Sequence, residues 1–340
     1  MFPARHMGFD LHAAVSELHG RGPLLILPHD NPDPDSLAAA LGLQRVAASV
    51  GCSSEIALGG IIGRAENRAL VRELAIPLRP LAEIEWDRFP LIAVVDTQPQ
   101  TGNNSLPPGR TADIVIDHHP PRMVSLSAPW CDIREDAGAS SVIVLEYLRA
   151  LGLDLDARLA TAFLYALKSE TRDLGREAGP RLREAYVALL ALADHQKLYR
   201  ITHPKLGREH FAAVDRALRS AEVRGSIVTA NLGTLDYPDL VAEVADLLLS
   251  YDRARWVLCV GRHQGHVNLS IRTDIPDAHA GHLIRRLLGT RGAGGGHGMI
   301  AGGRLFEEGV DAEGLARIHA DLIARLTDEL HETAAPVPLL

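Results

Sequence analysis

Basic residues are in deficit in this chain, cysteines are few, and long apolar runs are missing. Lys and Arg number 35 against 43 Asp and Glu, for a net charge of −8. That balance excludes a broad basic surface for long duplex nucleic acid, while a local basic pocket for a short RNA or a mononucleotide phosphate stays compatible with it. The three cysteines, Cys52, Cys131 and Cys259, stand far apart and form no Cys-x-x-Cys pair. Neither a disulfide framework nor a zinc ribbon is expected, and the thiols suit a reducing cytoplasm. Met1–Asp10 has no apolar signal-like core, and no stretch approaches the ~20 apolar residues of a membrane span. A cytoplasmic protein without membrane contacts is the expectation. Internal repeats and low-complexity tracts are also missing.

What is present reads as globular. Apolar residues make up 46% and charged residues 23% of 340 positions, a length that predicts two domains. In the first half, Leu24–Leu27, Glu55–Leu58, Leu91–Val95 and Ala112–Ile116 read as strands buried on both faces. Ser36–Val50 and Arg64–Leu74 between them have helical spacing, so the alternation predicts a parallel α/β sheet. Helical patterns follow over Ala139–Leu151, Ala157–Lys168, Pro180–Leu198 and Arg208–Ala221. Strands are then expected at Ser226–Leu235, Arg255–Gly261, His266–Arg272 and Met299–Phe306, with helices at Leu240–Leu249, His279–Leu288 and Ala312–Leu330. The fold class is thus α/β: a parallel-sheet domain over residues 8–198, a helical linker over 199–224, and a smaller α/β domain over 225–333. Ala334–Leu340 reads as a tail.

Chemistry concentrates at the strand ends, where ligands bind in parallel sheets. His29-x-x-x-Asp33-x-Asp35 follows the first strand, Asp96 the third, and Asp117-His118-His119 the fourth. Asp35 alone could be a helix N-cap, but capping leaves His29 and Asp33 without a reason. Mixed imidazole and carboxylate donors suit Mn²⁺, Fe²⁺, Co²⁺ or Zn²⁺. Two such ions about 3.5–4 Å apart can activate a water and clamp both oxygens of a phosphoryl transfer. Gly294-Gly295-Gly296-His297 would let backbone N–H groups approach an anion, with His297 and Arg272 adding charge-assisted contacts. Gln98, Asn103 and Asn104 follow Asp96, and their amides suit a base or ribose.

These ordered blocks resemble the DHH phosphoesterase family, and the downstream Asn268–Arg272 and Gly294–His297 segments resemble its DHH-associated domain. The likeness runs over about residues 10–330, and the layout is most similar to the nanoRNase and 3′-phosphoadenosine-5′-phosphate (pAp) phosphatase branch. The resemblance implies His29 and Asp33 on one metal, Asp35 and His118 on a second, and Asp96 bridging both. It further implies His119 facing the substrate phosphate and Asp117 orienting a ligating imidazole. In the stretch Lys168–Asp173, Glu170 stands where the family pattern has Asp, so either Glu170 or Asp173 completes the second metal site. Two divalent ions, Mn²⁺ first among them, are the implied cofactors, with Arg272, Gly295, Gly296, His297 and Asn104 on the substrate. The implied activity is hydrolysis of short oligoribonucleotides, linear dinucleotides or pAp, with a homodimer among the expected assemblies. The rivals are an inorganic pyrophosphatase or exopolyphosphatase and a non-catalytic nucleotide sensor.

Overall fold

The computed structural model describes residues 11–175 and 178–340, which divide into two compact units at Pro204 and Lys205. In the first unit a six-stranded sheet has the order β3-β2-β1-β4-β5-β6, every pair parallel. Its strands are β1 (Leu24–Pro28), β2 (Ser54–Leu58), β3 (Leu78–Pro80), β4 (Leu91–Val95), β5 (Ile114–Asp117) and β6 (Trp130–Ile133). Successive strand residues point to opposite faces. Leu24 and Ile26 accordingly enter the larger core beneath the helices, while Leu25 and Leu27 enter a second core with Val94, Val115 and Phe89. Burial on both faces explains why these runs have no polar alternation.

Strand order reverses between β1 and β4, and such a switch opens a crevice at the carboxyl ends of the strands. Around it stand α2 (Pro34–Ser49), α4 (Ser140–Ala150) and α5 (Ala157–Thr171), whose apolar faces fill the larger core with Leu37, Val144 and Phe163. α1 (Leu11–Leu18) and α3 (Ala65–Glu73) flank them. The span Pro180–Leu198, expected as one helix, is two, α6 (Pro180–Leu190) and α7 (His195–Thr202). Asp194 separates them by accepting hydrogen bonds from Gln196 N and Lys197 N, which starts α7 afresh.

The second unit has a seven-stranded sheet in the order β11-β12-β10-β9-β8-β7-β13, antiparallel except between β8 and β9. Its strands are β7 (Glu222–Arg224), β8 (Ile227–Thr234), β9 (Trp256–His263), β10 (His266–Thr273), β11 (Gly292–His297), β12 (Ile300–Leu305) and β13 (Val337–Pro338). Four helices join it: α8 (Arg208–Ser220), α9 (Leu240–Leu248), α10 (Ala280–Leu288) and α11 (Ala312–Leu330). Residues 208–224 lie in the expected linker, yet they form α8 and β7, and Ala213, Ala217 and Val223 pack into this unit's core. The expected tail is also structured, because Val337–Pro338 pairs with β7 and Leu339 N donates to Ala221 O. The glycine-rich run is an edge strand, β11. No helix among the described residues is long and apolar enough to cross a membrane.

Candidate metal centre

The crevice gathers its side chains from widely separated positions. β1 ends at Pro28 and delivers His29, whose Nε2 lies 3.7 Å from Asp33 Oδ1 and 3.7 Å from Asp96 Oδ2. Asp33 is the N-cap of α2, accepting from Ser36 N at 3.0 Å, with Pro34 fixing the first turn. Capping therefore falls to Asp33 and not to Asp35. Asp35 is 1% exposed, and its two oxygens accept from Ser140 N at 2.7 Å and Ser141 N at 2.9 Å, the opening amides of α4. A carboxylate there meets the positive end of the helix dipole.

Asp96 is central. It follows β4 with φ +58, a left-handed conformation that Asp tolerates better than most residues and that costs about 1–3 kcal/mol. That bend turns the buried carboxylate into the crevice. Asp96 Oδ1 accepts from Ser140 Oγ at 2.9 Å and lies 3.4 Å from His118 Nε2. Its donor atoms complete two overlapping groups of potential ligands, His29–Asp33–Asp96 and Asp96–His118–His119. Asp35 Oδ2 lies 3.9 Å from His118 Nε2.

The chain bends after β5, so both histidines reach Asp96, with ring centroids 4.3 Å apart, where alternation along an extended chain would have separated them. His119 Nδ1 is bonded to Asp117 Oδ1 at 2.8 Å, and Asp117 Oδ1 also accepts from His118 N. Asp117 thus orients His119 rather than His118. Burial opposes protonation of His119, but the Asp117 bond together with the charges of Asp96 and Asp117 lifts the imidazole above its ordinary pKa. Burial likewise raises Asp117, and its bonds to His119 and Gln98 with the charges of both histidines bring it below its ordinary value.

Glu170, in the last turn of α5, belongs electrostatically to this cluster. Burial, then the charges of Asp33, Asp35 and Asp96, push its carboxyl well above the ordinary range. Asp173 does not belong to it. After Arg172, Asp173 and Leu174 turn left-handed, Asp173 pairs with Lys168 Nζ at 2.5 Å and accepts from Tyr186 Oη.

The crevice thus holds more negative charge than its surroundings neutralise. Burial and then the neighbouring acids push Asp96 well up, and burial raises Asp35. Burial lowers His29, but its bond to Asp33 and the charges of Asp33 and Asp96 raise it to about 9. The compensating charge comes from imidazoles, a weak substitute for a cation. Clustered carboxylates with imidazole nitrogens at their edge fit divalent ions, and binding would relieve the repulsion.

The other expected substrate residues fare differently. Asn104 Nδ2 donates to Thr97 Oγ1, Gln98 O and Thr101 Oγ1, so its amide organises its own loop. In the second unit Arg272 is 6% exposed and its Nε bonds Asp246 Oδ1 at 2.7 Å, while Nη1 donates to Ile271 O and Ala301 O. The His297 side chain lies outside the described residues. The glycines of β11 serve two purposes. A Cβ on Gly296 would lie 2.1 Å from Ile300 O, so packing against backbone demands glycine there, and one on Gly294 would lie 2.7 Å from the Leu288 side chain of α10. Gly295 meets nothing within 4 Å, and its cross-strand partner Gly302 meets only Leu269 O at 4.0 Å.

Reading the motifs alone missed Ser140 and Ser141, which hold Asp35 and Asp96. Their signal is the run Gly138-Ala139-Ser140-Ser141 opening a helix. Gln98, first read as a cleft residue, is buried and bonds Asp117 Oδ2 at 2.7 Å.

An uncharacterized protein of Methanocaldococcus jannaschii is 32% identical over 314 residues, which cover 91% of this chain. The match spans 64% of that relative's length, so this chain corresponds to less than two thirds of it. An exopolyphosphatase-related protein from Bacteroides fragilis has the same fold, with a TM-score of 0.74 at 15% identity over 96% of this chain and 99% of its own. Residues 23–167, which carry most of the crevice, match the DHH family, N-terminal domain.

Proposed function

We propose that the chain is a metal-dependent phosphoric ester hydrolase that uses two divalent ions, Mn²⁺ foremost, on short oligoribonucleotides, linear dinucleotides or pAp. The observation that carries this reading is Asp96, whose carboxylate is shared by two overlapping ligand groups. His29 and Asp33 would hold one ion with Asp96. His118, Asp35 and Glu170 would hold the other. Bound divalent ions supply Lewis-acid stabilisation of the phosphoryl oxygens and lower the pKa of the attacking water.

The remaining steps belong to side chains. His119, oriented by the bond between its Nδ1 and Asp117, would donate to a phosphoryl oxygen and steady the charge that develops there. Ser140 and Ser141 fix the carboxylates so that little reorganisation accompanies the reaction. Residues 205–340 would act as a DHH-associated domain that grips a terminal phosphate, in the manner of the nanoRNase and pAp phosphatase branch. Support comes from Gly295 and Gly302, a cross-strand pair whose missing side chains no packing contact explains. His297 and Arg272 would add the charged contacts, with Arg272 held by Asp246.

A Mn²⁺ activity panel with pApA, pAp, cyclic di-AMP, pyrophosphate and a 24-mer RNA tests the reading. Turnover of pApA or pAp well above pyrophosphate and the 24-mer is expected. Preference for pyrophosphate would replace it with a pyrophosphatase, and no turnover with retained nucleotide binding would replace it with a sensor.

A further inference from the structure

One buried amide ties the reacting centre to an exposed cation. Gln98 is 1% exposed, and its side chain makes four hydrogen bonds. Nε2 donates to Asp117 Oδ2 at 2.7 Å and to Pro120 O at 3.0 Å. Oε1 accepts from Arg122 N at 2.7 Å and from the fully buried Ser125 Oγ at 2.8 Å. Two donors and two lone pairs are the whole capacity of a carboxamide, so Gln98 is saturated. Three of the four bonds fasten the loop from Pro120 to Ser125, whose crown of Pro120, Pro121, Arg122 and Met123 faces solvent.

Exposed loop crowns are ordinarily left mobile, since ordering them costs entropy without burying surface. Here the crown is fixed at both its start and its end. What it displays is a guanidinium with one bond, Arg122 Nη1 to Gln100 O at 3.3 Å, and no ion pair among the described residues. By contrast Arg134 is paired with Asp132 and Glu146, and Lys168 with Asp173. Only Pro120 and Pro121 separate Arg122 from His119, so the two Cα atoms lie at most about 11 Å apart. Arginine is the side chain whose planar fork matches two phosphate oxygens at once.

Resting on the hydrolase reading above, we propose that Arg122 binds the phosphate adjacent to the one being cleaved, as a further contact beside the grip proposed above for a terminal phosphate. Gln98 is its positioning residue: the same amide sets Asp117, and through it His119, and the backbone of Arg122. The distance between the reacting phosphate and its neighbour is thereby built into one side chain, which selects substrates carrying two phosphates.

The test compares pApA with bis-p-nitrophenyl phosphate, which has a single phosphorus, in Mn²⁺. Arg122→Ala should raise the KM for pApA roughly 10- to 100-fold, and should do so by a larger factor than for the single-phosphorus ester. Arg122→Lys should recover part of the loss. Gln98→Ala should lower kcat and raise KM together, and adding Arg122→Ala to it should cost less than in the parent protein. Equal losses on both esters, or an unchanged KM for pApA, would overturn the proposal. If the parent protein cleaves neither ester, calorimetric binding of pApA with Ca²⁺ decides separately. Binding weakened by Arg122→Ala keeps the proposal while the hydrolase reading falls; binding unaffected by it, or none, overturns the proposal.

Discussion

The two units treat charge in opposite ways. In the first, Asp33, Asp35, Asp96 and Glu170 crowd one crevice, and burial with mutual repulsion lifts three of them out of the usual carboxylate range. In the second, the buried Arg272 is matched by Asp246. A buried charge with its counter-ion supports architecture. A cluster of one sign marks a place where something from outside supplies the balance.

The sharpest way to break this contrast is at Asp96. Asp96→Ala should remove bound Mn²⁺ and lower turnover by at least the roughly 10²–10³-fold that one electrostatic contact to a reacting group contributes. Asp96→Asn should lose the metal too, while the metal-free protein melts at a higher temperature than its parent because a repelling charge is gone. Elemental analysis and thermal melts read the two effects, and a metal-free Asp96→Asn protein that melts lower would contradict the frustration argument.

In the second unit the sign should invert. Asp246→Ala removes the carboxylate that faces the buried Arg272, which should cost about 3 kcal/mol in urea unfolding. A double replacement, Asp246→Leu with Arg272→Met, should recover most of that loss. An Asp246→Ala protein as stable as its parent would show that the pair is not architectural.

Smaller effects sharpen the boundary of the cluster. Glu170→Gln should weaken metal binding by about 10- to 100-fold. Asp173→Asn should leave it near the parent value, since Asp173 is occupied by Lys168 and Tyr186. The reverse outcome would move the ligand along the chain.

The smallest effect concerns His319 on α11, whose Nε2 is buried without a hydrogen-bond partner among the described residues. Burial lowers its pKa from 6.5 to about 4, the charge of Arg224 adds to that, and Glu222 opposes it. The unfolded chain takes a proton below about pH 6.5 while the folded one refuses it down to about 4, so this contribution is complete above 6.5 and declines as pH falls. By pH 5.5 the loss should reach about 1 kcal/mol, and His319→Gln should flatten that part of the curve in melts recorded from pH 7.5 to 5.5.

Much of the first unit was legible in the sequence because its strands are uninterrupted apolar runs and its acids and histidines stand at their ends. Leu24–Leu27 and Leu91–Val95 need no tertiary information to be read as buried. The second unit hid more. β11 is made largely of glycine, which has low strand propensity, and only pairing with β12 makes it a strand. The tie between Asp35 and Ser140 spans 105 positions, and no local pattern encodes it. Asp246 lies 26 residues before Arg272, and nothing in either segment names the other. Periodicity reports burial. It does not report which polar groups meet.

The crevice has a kinetic consequence. His29, Asp96, Asp117, Ser140 and Glu170 come from stretches separated by dozens of residues, and they converge only where β1, β4 and β5 lie side by side. Parallel pairing requires closing long loops before any contact rewards it, so such sheets form slowly. The proposed ion-binding pocket would therefore have no early, partial version, and a cation would have nothing to grip until the first unit is nearly complete. Uptake of a spectroscopic metal during refolding should trail the recovery of helical signal and coincide with the last phase, and the ion would then secure a finished structure rather than guide its assembly.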